Sequence, residues 1–369
     1  MVFIRNFIVY LGAFTLVLII INSIKTKQNL IHILWALAIL SFFAGMIGLL
    51  GLLDTIPAGM KFVTPISKLL PESIKTSEYL RETLYPSISG YYQDIFGLKL
   101  RRISSIFLFP NIFAAAILIL FPYQFFLFVL STGWKKLVLA LNSILLLVCL
   151  IFTYSRSAIL GIFLGFLYFI HLQGIRKKRQ KSQRLNFLTV TVVVLVIFLI
   201  LIIAINTMTQ IKPLSVKART TILKNTIQSW KESPVFGWGT QRNMEVIGET
   251  SPIPPLGSHS TYLSFLYRYG LSGLILYIAM IVVLFTELKR SQLSSSPDSF
   301  WKNFSTICGW VFFGNLVQAI FIVMDYDVII LFLIWMNWGF VLVARRMLEK
   351  GEKRISSKVL KKTKALEYF

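Results

Sequence analysis

The stretch Phe187-Leu-Thr-Val-Thr-Val-Val-Val-Leu-Val-Ile-Phe-Leu-Ile-Leu-Ile-Ile-Ala-Ile205 decides the fold class of this chain. Its 19 residues carry no charge, and runs of about 18 or more uncharged, mostly apolar residues are typical of membrane-spanning helices. On either side of it, similar runs bring the total to about nine: 6–24, 30–53, 103–130, 137–154, 157–173, 187–206, 269–286, 303–324 and 327–344. Charged residues make up only 14% of the chain, against roughly 25% in soluble domains. The sequence predicts an all-α, polytopic bundle of transmembrane helices.

The charges are concentrated in short basic segments beside the predicted spans. Arg176-Lys-Lys-Arg-Gln-Lys181 and Arg184 form one such loop, and the segment Arg345–Lys364 holds nine more bases. Short basic loops next to spans mark the cytoplasmic side, so residues 345–369 are predicted to be a basic cytoplasmic tail. We therefore assign the net charge of +23 to membrane orientation and anionic lipid headgroups, and we expect no nucleic-acid partner.

The alternation of spans then fixes the predicted side of every other segment. The inside segments are 25–29, 131–136, 174–186 and 287–302. The outside segments are the amino terminus, 54–102, 153–156, 207–268 and 325–327. Residues 1–344 are predicted to form a single integral membrane domain, with 54–102 and 207–258 as two long extracytoplasmic loops.

Both long outer loops carry signs of local structure. Within the first loop, residues 67–85 have helical spacing of apolar residues and could lie along the membrane surface, although a solvated connector is the alternative. In the second loop, Lys217–Trp230 is predicted to be a short amphipathic helix. The segment Ser233-Pro-Val-Phe-Gly-Trp-Gly239 should end that helix, because proline and glycine disfavour its continuation.

His259 is the one histidine that this topology places outside, since His32 and His171 lie near inner ends of spans. It stands at a predicted loop-to-helix junction, where free backbone N–H groups suit an anionic oxygen. An imidazole, with a pKa of about 6.5, can accept or orient the proton of an acceptor hydroxyl near neutral pH. Taken alone, such a histidine is more often structural than catalytic.

Two arginines are predicted to lie on the same side. Arg156 stands between two spans in Thr153-Tyr-Ser-Arg-Ser157, and Arg219 lies at the head of the predicted loop helix. Guanidinium groups stay charged and bind phosphate oxygens bidentately, so they could neutralise a pyrophosphate leaving group in place of a metal. The alternatives are a snorkelling arginine at a helix end and an ordinary surface base.

No cofactor or metal is expected from the sequence. The chain has 15 acidic residues, and the outer segments offer one Asp-x-Asp pair, Asp325-Tyr-Asp327, which could bind a cation or cap a helix. Cys149 and Cys308 both fall within predicted spans and give no disulfide or metal framework. The spans contain essentially no acid, so the carboxylate relay of an ion-coupled transporter is missing.

With these motifs, the chain resembles the O-antigen ligase/polymerase family of bacterial membrane glycosyltransferases over about residues 100–285. The family signature is His followed by Asn, Ser or Gln, nine residues, Gly, two residues, then Gly, Thr or Tyr. His259-Ser260, Gly270 and Gly273 fit this signature. Three other segments look like family elements: Ile106-Phe-Leu-Phe-Pro-Asn111, Thr153–Ser157, and Arg219–Trp230 with the Ser233–Gly239 segment.

The resemblance implies a GT-C-like membrane fold and a multi-pass protein of the bacterial inner (plasma) membrane, with its active site facing the periplasm or exterior. It implies metal-independent transfer of a glycan from an undecaprenyl-pyrophosphate-linked donor. Arg156 and Arg219 would hold the pyrophosphate, and His259 would act as base or acceptor-positioning group. Ser260, Tyr262 and Arg268 are further substrate-binding candidates. The expected partners are the donor, a glycan or lipid A-core-like hydroxyl acceptor, membrane lipids and polysaccharide-assembly proteins.

Several functions stay open at this stage. The histidine signature favours an O-antigen ligase-like enzyme of surface polysaccharide biosynthesis, but a polymerase would use the same donor. A lipid-linked saccharide transporter should carry a basic cavity inside its spans, whereas no arginine or lysine lies deep within a predicted span. A non-catalytic assembly protein is the third class, because only two spans precede the Phe107-x-x-Pro-Asn111 element.

Overall fold

The chain folds mainly into helices that run back and forth between two ends of a bundle. The computed structural model describes residues 2–52, 71, 92–95, 98–107, 109–177, 213–239, 260–294, 298–323 and 328–366. The helices in these ranges are α1 (Val2–Ser23), α2 (Lys27–Leu50), α3 (Pro110–Leu130), α4 (Gly133–Thr153), α5 (Arg156–Lys177), α6 (Pro213–Glu232), α7 (Thr261–Leu293), α8 (Ser299–Ala319) and α9 (Val328–Leu366). Two strands, β1 (Tyr92–Ile95) and β2 (Leu98–Arg101), form an antiparallel hairpin.

Six of the described helices are long and apolar enough to cross a membrane. They are α2, α3, α4, α7, the Arg156–Gln173 part of α5 and the Val328–Glu352 part of α9. Helix α1 contributes a shorter apolar segment, Phe7–Ser23. Helix α8 has 21 residues, but polar residues such as Asn303 and Gln318 lower its mean hydropathy. The prediction of a helical membrane protein is confirmed. The count of nine spans stays a prediction, and the span predicted at 187–206 lies outside the described residues.

The segment before α3 differs from the sequence prediction in two ways. The span predicted at 103–130 becomes helical only at Pro110. Proline suits the first position of a helix, because an N–H at that position would have no partner within the helix. Ser105, with a φ of 55°, is incompatible with a helix before that point. The β1–β2 hairpin shows that the described part of the chain is not purely helical. The surface helix predicted within 67–85 lies outside the described residues, apart from Pro71.

Helix α8 occupies the centre of the bundle, in contact with α3, α5, α7 and α9. Glycines let α5 approach it closely, since a Cβ on Gly161 would lie 2.7 Å from the Gly314 carbonyl oxygen. One turn away, the Trp310 indole donates to the Ile162 carbonyl at 2.9 Å. Small residues at such crossings allow the tight packing that stabilises helix pairs in a membrane. Four polar residues of α8 are buried in the bundle: Ser305, Thr306, Asn315 and Gln318.

One end of the bundle collects the segments that were predicted to be cytoplasmic. Arg346 in α9 donates hydrogen bonds to the carbonyls of Ile21 and Ile24 at the end of α1. Lys27, at the start of α2, pairs with Asp298 before α8 at 3.0 Å. The basic tail predicted from residue 345 onward continues helix α9 as far as Leu366.

The opposite end collects segments that were predicted to be outside, and we call it the outer end. The Ile103 N–H donates to the Phe152 carbonyl at 3.2 Å, which ties the segment before α3 to the end of α4. The Thr261 N–H donates to the Ile322 carbonyl at 3.1 Å, which ties the start of α7 to the end of α8. The candidate site residues that the structure describes lie at or near this end.

Candidate functional site at the outer end

The junction between α4 and α5 presents Arg156. Tyr154 ends α4 in the left-handed conformation with a φ of 50°, and Ser155 beside it is buried. The Ser155 N–H donates to the Thr153 hydroxyl at 3.3 Å, which stabilises the short connection. Arg156, the first residue of α5, is exposed. Burial raises the pKa of the Tyr154 phenol above its ordinary value.

Arg102 holds this junction, and sequence reasoning missed it. Its Nε donates to the Thr153 carbonyl at 2.9 Å, and its Nη2 donates to Asn111 Oδ1 at 2.8 Å. One guanidinium thus joins the Phe-x-x-Pro-Asn element to the Ser-Arg junction. The signal available in the sequence was weak, because Arg102 follows Arg101 at the end of a loop and resembles any other loop base.

Helix α7 is broken at Gly270, the first glycine of the family signature. Gly270 has a φ of 65° and a ψ of −163°, far from helical values. Glycine adopts positive φ without the steric penalty of other residues. A break of this kind frees carbonyls before it and N–H groups after it, and buried backbone groups need partners.

The segment Ser233–Gly239, which we call the docking turn, supplies those partners. Four backbone hydrogen bonds of 2.8–3.2 Å join it to α7: Trp238 N–H to Tyr267 O, Gly239 N–H to Arg268 O, Leu271 N–H to Pro234 O, and Ser272 N–H to Val235 O. The Ser272 hydroxyl adds a further bond to the Val235 carbonyl at 2.8 Å. Backbone groups on both sides of the break are thus paired with the turn.

Tryptophans fix the docking turn to the end of α6. The Trp230 indole donates to the Pro234 carbonyl at 3.0 Å, and the Trp238 indole donates to the Ser229 carbonyl at 2.6 Å. The amphipathic helix predicted at Lys217–Trp230 is therefore present as α6, and the turn predicted to end it is ordered. Helix α6, the docking turn and the break in α7 form one connected unit, which we call the joint.

The start of α7 is anchored to the end of α8. The buried Ser260 donates its hydroxyl to the Ala319 carbonyl at 3.4 Å, and Tyr262 donates its hydroxyl to the Leu316 carbonyl at 3.1 Å. The Thr261 hydroxyl donates to the Ile322 carbonyl at 2.7 Å. These bonds fix the direction in which α7 begins.

The structure describes the positions of five predicted site residues. Tyr262 and Arg268 lie in the first turns of α7, before its break, and Ser260 directly precedes the helix. Arg156 lies at the neighbouring α4–α5 junction, and Arg219 lies in the second turn of α6, the helix that the joint ties to α7. His259 and the Asp325-Tyr-Asp327 segment lie outside the described residues. The convergence of His259, Arg156 and Arg219 in one pocket stays a prediction.

An apolar groove of about 620 Å³ borders the joint. Its walls come from α1, α7, α9 and the docking turn: Phe7, Tyr10, Phe236, Phe265, Tyr269, Ser272, Gly273, Leu276, Tyr277, Met280 and Trp335. Phe236 at the tip of the turn is 79% exposed, although it is a large hydrophobic residue. Such a surface suits an apolar chain better than a sugar or an ion.

The fold defines the class of this protein as a helical membrane protein. A protein-family model described as O-antigen ligase matches residues 141–278. Over that part of the chain, the match supports the resemblance to an O-antigen ligase-related family that the motifs indicate. It covers the Ser-Arg junction, the joint and both signature glycines. No curated protein matches the chain.

Proposed function

We propose that the protein is a membrane glycosyltransferase that moves a glycan from an undecaprenyl-pyrophosphate-linked donor to a hydroxyl acceptor, as an O-antigen ligase does. The family match over residues 141–278 carries this proposal, because it covers the junction of Arg156, the helix of Arg219 and the signature that starts at His259. The membrane-spanning helices support a lipid-linked donor. The site faces the outside of a bacterial inner membrane.

The proposed transfer is a displacement at the anomeric carbon of the donor. The acceptor hydroxyl oxygen forms the new bond to that carbon while the bond to the pyrophosphate oxygen breaks, and the electron pair leaves with the pyrophosphate. His259 takes the hydroxyl proton. Arg156 and Arg219 neutralise the growing charge on the leaving group, in place of a metal. Attack from the face opposite the leaving group inverts the anomeric configuration.

The remaining residues orient the two substrates. Ser260 and Tyr262 position the acceptor near His259, and Arg268 is a third phosphate contact. The polyprenyl chain of the donor lies in the apolar groove beside the joint. The exposed Phe236 supports this placement, because burying it against a lipid chain removes apolar surface from water.

The test uses Arg156→Ala, Arg219→Ala and His259→Ala in cells whose surface glycan is visible on a gel. Each variant should accumulate to the parental level and lose glycan attachment, because these groups act on the reaction. Arg290→Ala is a matched control, since Arg290 is a 60% exposed arginine toward the cytoplasmic end of α7. Unchanged glycan in all three site variants would contradict the proposal that the protein is an enzyme and would favour a transport or assembly role.

The same gel separates two activities within the family. Loss of a ligase activity leaves long polymer on the lipid carrier, whereas loss of a polymerase activity leaves single repeat units. The histidine signature leads us to expect polymer on the carrier. Single repeat units would instead identify the protein as a polymerase that uses the same donor and a second lipid-linked glycan as acceptor.

A further inference from the structure

We propose that Gly270 and Gly237 are positioning residues, which hold helix α6 against the start of α7 and so set the distance between the donor and acceptor sides of the reaction. This inference rests on the proposed function, because it assigns Arg219 on α6 to the donor, and Ser260 and Tyr262 at the start of α7 to the acceptor. The two glycines touch neither substrate. They act through the joint.

The two glycines meet at the point where the docking turn enters the broken helix. Gly237 has a φ of 69°, and a Cβ there would lie 2.5 Å from Gly270 N and 2.7 Å from Arg268 O. A Cβ on Gly270 would lie 2.6 Å from Gly237 N and would collide with the Val235 carbonyl. A side chain at either position would push the turn out of the break in α7.

Displacement of the turn would also displace α6. The turn is fixed to the last residues of α6 by the Trp230 and Trp238 indoles, so it cannot move while that helix stays in place. The described contacts between α6 and α7 would shift with it. A misplacement of about 1 Å between reacting groups is enough to lower a rate on the order of 100-fold.

The chain contains a matched control for the strain of positive φ. Gly239 belongs to the same turn and has a φ of 70°, yet a Cβ there would have no atom of the described residues within 4 Å. Gly239→Ala therefore adds the same backbone strain as Gly237→Ala without the collision. Gly133, with a φ of 59° and equally open space, provides a second control at the opposite end of the bundle.

The experiment measures turnover and the state of the joint separately. Membranes that contain each variant are given radiolabelled undecaprenyl-pyrophosphate-linked glycan extracted from a strain that lacks this protein, and glycan release per protein molecule is followed. The contact between the docking turn and α7 is measured as disulfide formation between Val235→Cys and Ser272→Cys. The native Cys149 and Cys308 are buried and do not compete.

We expect Gly270→Ala and Gly237→Ala to lower turnover at saturating donor on the order of 100-fold, with little change in the KM for the donor. Both should also lose the 235–272 cross-link. Gly239→Ala and Gly133→Ala should keep most of the turnover and, in the paired-cysteine background, the full cross-link. Parental turnover in the first two variants, or lost turnover with an intact cross-link, would overturn the proposal.

A second measurement covers the case in which the glycine variants do not accumulate. Oxidation of the Val235→Cys/Ser272→Cys pair, with Gly237 and Gly270 intact, should leave turnover at the value of the same protein in its reduced form, because the disulfide holds the arrangement that is already the active one. Turnover that disappears on oxidation and returns with a reductant would show that the joint must open, against the proposal. If the parent releases no glycan while the cross-link still forms, the proposed function fails and the geometry of the joint stands.

Discussion

At the scale of the residue, Arg102 shows how one side chain can stabilise the backbone beside a candidate site residue. Its guanidinium donates to Thr153 O and Asn111 Oδ1, so it links the ends of two chain segments next to Arg156. Arg102→Ala removes both bonds and should destabilise the protein by about 1.5–3 kcal/mol, the range for hydrogen bonds to a charged group. Arg102→Lys should recover part of this loss, since an ammonium cannot reproduce the planar fork.

Thermal unfolding of the detergent-purified protein checks this prediction. The matched control is Arg290→Ala, which removes an exposed ion pair with Glu287 of 2.7 Å and should change stability by less than about 1 kcal/mol. Equal melting temperatures for Arg102→Ala and Arg290→Ala would show that the Arg102 bonds do not hold the junction.

The same residues show what a sequence can and cannot reveal about a site. The signature pointed to Gly270 through spacing alone, and its role became visible only with the positive φ and the docking turn in place. Arg102 was not found, because its partners are a backbone carbonyl and an amide from segments far apart in the chain. Pairings of this kind depend on three-dimensional packing and leave no local pattern.

At the scale of the element, Gln124 of α3 joins three helices through a buried amide. Its Nε2 donates to the Leu139 carbonyl and the Ser143 hydroxyl of α4, at 3.1 and 2.9 Å. Its Oε1 accepts from Ser41 of α2 at 3.1 Å and from Asn142 of α4 at 2.9 Å. Polar side chains of this kind hold helices together in a membrane, where apolar surface alone gives little preference for one neighbour over another.

Gln124→Leu keeps the volume of the side chain and removes the hydrogen bonds that the amide makes to these four partners. We expect a destabilisation of roughly 1–3 kcal/mol, because buried polar groups lose their hydrogen bonds. Thr15→Val is the matched control, since the exposed Thr15 bonds only within its own helix, to Leu11 O at 2.8 Å. Thermal unfolding that is equally affected by both substitutions would contradict a role for Gln124 between helices.

The helices themselves were largely predictable, but their ends were not. Uncharged runs located the described apolar helices, because the membrane demands apolar side chains along a whole span. The same criterion failed at 103–109, where Ile103 and Phe107 are buried in a non-helical segment before Pro110. Hydrophobicity reports burial there and does not distinguish a helix from a packed turn.

At the scale of the whole molecule, the two ends of the bundle should face opposite sides of the membrane. The basic loop and tail predict that one end faces the cytoplasm, and the contacts of Arg346 and Lys27 bring the segments of that end together. We therefore expect the outer end to face away from the cytoplasm, as the proposed transfer requires. This follows from charge and connectivity, and it can be checked without any assay of activity.

Single cysteines at the two ends provide that check. Val235, in the docking turn, is 54% exposed, and Thr132, between α3 and α4, is also exposed. A membrane-impermeant maleimide should label Val235→Cys in intact spheroplasts and Thr132→Cys only after the membrane is opened, because an impermeant reagent reaches only the outer face. The buried Cys149 and Cys308 keep the background low. The reverse labelling pattern would put the joint, and with it Arg156 and the helix of Arg219, on the cytoplasmic side. Transfer at the outer face would then be impossible for this chain.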